Sequence, residues 1–231
     1  MVSFSSAVNR RQFIGSTLSA GSALFLGNGP VISQKKIALI GDSVRAGYQP
    51  DVSNYLITKA SVWGPEESGL NSIDILQNLG EWIRNAAYDI IHINSGLNDL
   101  RTTDFQSVDN LVPIDYYAKN VERIIKAINR YSPGSVIVWA TITPVIDVLF
   151  NTFHQERMDY RMKNEDVIRY NEAAMKVAGR LGVALNDLYA YLMSGDPSLV
   201  ILDDGVHYTG YGYQLIAERV TGILEKIIEG N

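Results

Sequence analysis

Lys36-Ile37-Ala38-Leu39-Ile40-Gly41-Asp42-Ser43 is the stretch on which the reading of this chain turns. A continuous apolar run with no polar alternation suits a parallel strand covered on both faces. The glycine and the two small polar residues after it suit a strand that turns sharply into a helix. The pattern returns downstream. Lys59 to Trp63 reads as a second strand, Tyr88 to Ile93 as a third, Ser135 to Ala140 as a fourth, and Val183-Ala184-Leu185 as a short fifth. Helical spacing fills the gaps. Ile73, Leu76, Leu79, Trp82 and Ile83 make one stripe, and Tyr117, Val121, Ile124, Ile125 and Ile128 another, with Asp115 as its expected N-cap. Val167, Tyr170, Ala174, Val177 and Leu181 precede Gly182 as a stop, and a last helix spans about Tyr211 to Ile228. Such alternation predicts one three-layer α/β/α domain over residues 35–231, with a five-stranded parallel sheet and right-handed crossovers. Two long connections, 101–114 and 143–164, stand out, and long loops in compact domains are often functional.

Composition narrows the partners. The 231 residues carry a net charge of -5, with 46% hydrophobic and 19% charged residues. That balance fits a folded globular enzyme, and without a basic cluster nucleic acid is not an expected partner. There are no cysteines, which excludes disulfides, thiolate metal sites and cysteine nucleophiles. Residues 1–34 hold no Asp or Glu; their charges are Arg10 and Arg11, followed by an apolar and small-residue stretch to about Leu26. Asn9-Arg10-Arg11-Gln12-Phe13-Ile14 resembles a bacterial twin-arginine export signal. The stretch is too short and too rich in Gly and Ser for a comfortable membrane span, so export without stable membrane insertion is expected.

In open parallel sheets, sites gather at the carboxyl ends of the strands. The first strand ends in Gly41-Asp42-Ser43, the second in Trp63-Gly64-Pro65, and the third in Asn94-Ser95-Gly96-Leu97-Asn98-Asp99. Asp204-Gly205-Val206-His207, just before the last helix, adds a base.

In that order, Gly41-Asp42-Ser43, Gly64, Gly96-Leu97-Asn98-Asp99 and Asp204-Gly205-Val206-His207 resemble the four blocks of SGNH (GDSL-type) hydrolases. The resemblance covers nearly everything from Lys36 to Ile228 and implies a flavodoxin-like sheet and a serine esterase. It implies Ser43 as nucleophile, His207 as base and Asp204 as the carboxylate that orients it. The oxyanion donors implied are the Ser43 and Gly64 N–H groups and the Asn98 amide, with Gly69 in the same loop as the alternative to Gly64. No cofactor or metal is called for. The preferred substrate is a carbohydrate O-acetyl ester, small or polymeric. A lysophospholipase, a thioesterase and a non-catalytic carbohydrate-binding or cell-envelope domain are the alternatives.

Other residues have plainer readings. Ser43 taken alone suits a helix N-cap, and Asn98 a turn residue. Asp42 reads as a brace for its loop and Asp99 as a turn or cap residue. His92 sits among isoleucines as a core histidine, and His154 is expected to be exposed in the second long loop. Tyr208, Tyr211 and Tyr213 suit either packing or stacking on a sugar. Gly-x-Ser-x-Gly and His-Glu-x-x-His motifs are absent, which sets the chain apart from α/β-hydrolase esterases and zinc hydrolases.

Overall fold

The computed structural model describes residues 34–230, apart from 156 and 158. Residues 1–33 of the expected export segment lie outside the described residues. Five strands form one parallel sheet: β1 (Lys35–Ile40), β2 (Ala60–Trp63), β3 (Ile90–Asn94), β4 (Val136–Ala140) and β5 (Ala184–Asn186). Their order is β2-β1-β3-β4-β5, the flavodoxin-like arrangement. Ile37 of β1 lies opposite Ile90 of β3, and Asn94 opposite Ala140 of β4. Every residue of β3 is buried, as are Ile37 to Ile40 of β1, because helices cover both faces of the sheet.

Among the described residues, seven α-helices surround it: α1 (Ser43–Tyr55), α2 (Ser72–Ile83), α3 (Ile114–Tyr131), α4 (Asp147–Gln155), α5 (Asn164–Arg180), α6 (Leu188–Met193) and α7 (Gly210–Ile228). α1 packs on α7, while α3 packs between α2 and α5. Right-handed crossovers and the reversal of strand order after β2 place these two groups on opposite faces. The expected apolar stripe of α3 is its buried face. Its N-cap is Pro113, not Asp115. Proline starts the helix with its fixed φ, here -55°, and Asp115 instead faces the positive end of the helix dipole from the first turn.

The second long connection also differs from expectation, since residues 147–155 form helix α4. The two connections hold each other. Thr102 N–H donates to Arg161 O at 2.8 Å, Arg161 N–H to Thr102 Oγ1 at 2.7 Å, and Arg161 Nη2 to Ser107 O at 2.8 Å.

His92 is fully buried on β3, within 3.1 Å of the Asn186 amide and edge-on to Tyr48. Burial lowers its pKa from 6.5 to about 4. The unfolded chain therefore binds the extra proton first, so stability is complete above pH 6.5 and falls as pH drops toward 4. That loss amounts to about 3 kcal/mol at most. In urea unfolding at pH 7 and pH 5, His92→Gln should lose less stability between the two than the wild type. Equal losses would show that the sensitivity lies elsewhere.

Candidate active site

The rim of the sheet where β1 and β3 diverge is where ligands of this architecture bind, and three segments meet there. The first is the turn from β1 into α1. Asp42 is buried and caps α1, accepting Val44 N–H at 3.0 Å and Arg45 N–H at 3.4 Å. The Asn94 amide donates to its other oxygen at 3.1 Å, and burial raises its pKa. Ser43 is thus the first residue of the helix and not its cap, and its hydroxyl is free for other partners.

That partner comes from far along the chain. Ser43 Oγ lies 2.8 Å from His207 Nε2, and His207 Nδ1 lies 2.6 Å from Asp204 Oδ2. The second oxygen of Asp204 accepts the N–H groups of Val206 and His207 at 3.0 and 2.9 Å. One carboxylate therefore shapes the turn and orients the ring. Burial pushes the Asp204 pKa up, but the His207 and Val206 N–H groups and the His207 ring together hold it below its ordinary value. Gly205 in this turn has φ +77°, and a Cβ there would fall 2.4 Å from Phe150 N. Only glycine lets the turn lie this close to α4. Ile146 N–H donates to Gly205 O at 2.8 Å and the Tyr208 hydroxyl to Pro144 O at 3.3 Å, so the β4–α4 connection braces the histidine loop.

The third segment comes from the loops after β2 and β3. Asn98 Nδ2 donates to Leu70 O at 3.2 Å, and its second N–H remains for another acceptor. Asp99 is fully buried and accepts Ser72 N–H at 2.8 Å and the Ser72 hydroxyl; Asn120 Nδ2 donates to that hydroxyl at 2.9 Å. Burial raises the Asp99 pKa to about 6 against the pull of the Ser72 bonds. Asp99 is therefore more than a turn residue: it fastens the start of α2 to the loop after β3. Gly69 is exposed, and a Cβ there would meet nothing within 4 Å. Gly64 is packed. A Cβ there would fall 2.2 Å from Gln49 Oε1 and 2.5 Å from Leu39 O, so glycine at 64 serves close packing.

Some sequence expectations change. His154 is only 8% exposed, ringed by Phe150, Phe153 and Tyr160, because α4 turns it inward. Of the three tyrosines after His207, Tyr208 is buried and Tyr213 half-buried against it, while Tyr211 is 64% exposed. Arg45, which the sequence did not single out, is 2% exposed. The signal was present: Arg45, Tyr48 and Val52 share a helical face and are all buried. Among the described residues, no group of three or more His, Cys, Asp and Glu side chains is placed to hold a metal ion, and no helix is long and apolar enough to cross a membrane.

A doubly wound sheet with a serine, a histidine and a carboxylate in line at its ligand-binding rim defines a hydrolase of the acyl-transfer class. Residues 39–215 match the GDSL-like lipase/acylhydrolase family, and the chain belongs to that family. It is 24% identical over 201 residues to the isoamyl acetate-hydrolyzing esterase of Schizosaccharomyces pombe, covering 83% of this chain and 75% of that protein. The lipase/acylhydrolase from Enterococcus faecalis superposes with a TM-score of 0.65 at 17% identity, covering 84% of this chain and 97% of the other. An acetyl xylan esterase, AlAXEase, gives 0.63 at 17% identity, with 82% and 99% covered. The protein is an esterase-type hydrolase of the GDSL/SGNH kind.

Proposed function

We propose that this enzyme cleaves short-acyl esters through Ser43, and that its natural substrate is an O-acetyl group on a carbohydrate. The observation that carries the mechanism is the continuous Ser43–His207–Asp204 chain, at 2.8 and 2.6 Å. In this reading His207 Nε2 takes the Ser43 proton as Oγ attacks the ester carbonyl, and Asp204 stabilises the imidazolium. The tetrahedral intermediate expels the alcohol, which receives the proton from His207. Water, activated by the same histidine, then frees acetate and restores Ser43. The oxyanion is held by the N–H groups of Ser43 and Gly69 and by the free N–H of Asn98. Gly69 is preferred to Gly64 because it borders open space beside Leu70, whose carbonyl Asn98 already engages.

Support for the acetyl group comes from the names of two relatives, one acting on isoamyl acetate and one on acetyl xylan. Export through the twin-arginine-like segment would bring the enzyme to polysaccharide, which favours the carbohydrate carrier. A panel of acetylated xylo-oligosaccharides, aryl acetates, long-chain aryl esters, acyl thioesters and lysophospholipids tests the reading. Acetyl esters should exceed the long-chain substrates by about tenfold or more in kcat/KM. Preference for a lysophospholipid or a thioester would overturn it.

A further inference from the structure

We propose that Arg45 is a positioning residue for ester cleavage, tying the helix that carries Ser43 to the loop that carries Gly69. The inference rests on the reading of Gly69 given above. Arg45 lies two residues after Ser43 in the first turn of α1, and its guanidinium points away from solvent. Nη2 donates to Pro65 O and to Glu67 O, each at 2.9 Å, and approaches Gly41 O at 3.5 Å. Nη1 donates to Gln49 Oε1 at 2.8 Å, one turn further along the helix. One planar group thus joins the end of β1, the body of α1 and the loop after β2.

Glu66, Glu67, Ser68 and Gly69 are all exposed. Carbonyls in such a segment otherwise turn to water, and nothing then fixes the direction of the Gly69 N–H. Arg45 holds the segment at 65 and 67, while Asn98 holds it at Leu70 and Asp99 at Ser72. Gly69 lies between these fastenings. The close packing at Gly64 belongs to the same device, since a Cβ there would also fall 3.0 Å from Arg45 Nη1. Burial lowers the Arg45 pKa, so the charge is kept inside at a cost. A guanidinium justifies that cost where a lysine does not, because its rigid fork reaches several acceptors at once. The arrangement sets the separation between Ser43 Oγ and the donors that receive the oxyanion, a distance to which rate is steeply sensitive.

The test compares Arg45→Met and Arg45→Lys with the wild type and with Asn98→Ala. Rates on an aryl acetate are normalised to the folded, phosphonate-titratable enzyme. Affinity is measured for a trifluoromethyl ketone, whose hemiketal oxygen occupies the oxyanion position. Both Arg45 variants should lose about ten- to hundredfold in kcat with KM changed less than about threefold. Ketone affinity should fall by the same factor as kcat/KM. A purely structural arginine would lower the melting temperature and leave the normalised kcat and ketone affinity intact. That result overturns the proposal if Asn98→Ala still loses both. If Asn98→Ala also keeps both, the reading of the donor site is what fails. Should Arg45→Met not fold, wild-type kcat in Arg45→Lys decides against the proposal on its own, because lysine keeps the charge and cannot span the acceptors.

Discussion

Ser43→Ala should leave no measurable turnover of a short aryl ester, a fall of about 10⁴- to 10⁶-fold in kcat, and should abolish labelling by a fluorophosphonate. His207→Ala should fall to a similar level, because nucleophile and base act as one unit. The melting temperature of Ser43→Ala should stay within a degree or two, and the structure gives the reason. Asp42 caps α1, so removing the serine hydroxyl costs the helix no bond at its start. Were Ser43 not the nucleophile, turnover and labelling would survive the substitution.

Asp204→Asn is the second large effect, expected at about 10⁴-fold in kcat with the fold intact. The amide oxygen can still accept the Val206 and His207 N–H groups now held by Oδ1, so the turn survives. The amide nitrogen, however, comes to face His207 Nδ1 where Oδ2 accepts from it. A donor there demands a bare Nδ1 and moves the ring proton to Nε2, the atom that has to accept from Ser43. The ring would be held in the wrong tautomer. A loss below tenfold would show that Asp204 only shapes the turn. Thermal unfolding measured on the same sample separates a misdirected ring from a damaged loop.

Much of this architecture is legible from residue order. Strands buried on both faces announce themselves as unbroken apolar runs, and β1, β3 and β4 lie within two residues of where those runs place them. That Ser43, His207 and Asp204 are candidates to come together is legible because acyl transfer would demand such side chains next to such turns, and the three do lie in contact. What escapes is whatever depends on direction. Gly64 and Gly69 look alike in a sequence, and only packing shows that one is wedged against Leu39 and Gln49 while the other faces open space. Arg45 shares a helical face with Tyr48 and Val52, but what it holds stays hidden, since its acceptors Pro65 O and Glu67 O lie twenty or more residues away. His154 is drawn inward by rings on α4 and by Tyr160 beyond it. Helix α4 itself has nine residues and opens without a cap signal strong enough to mark it.

The bond between Ser43 and His207 spans 164 residues, from the first strand to the threshold of the final helix. In the proposed mechanism a chain that has formed Ser43 but not yet residue 207 holds the nucleophile without its base. No fragment that lacks the last forty residues holds both halves of the pair. Reactivity in that mechanism therefore waits on the meeting of two distant stretches of chain, and a fragment holding only one of them would leave esters untouched.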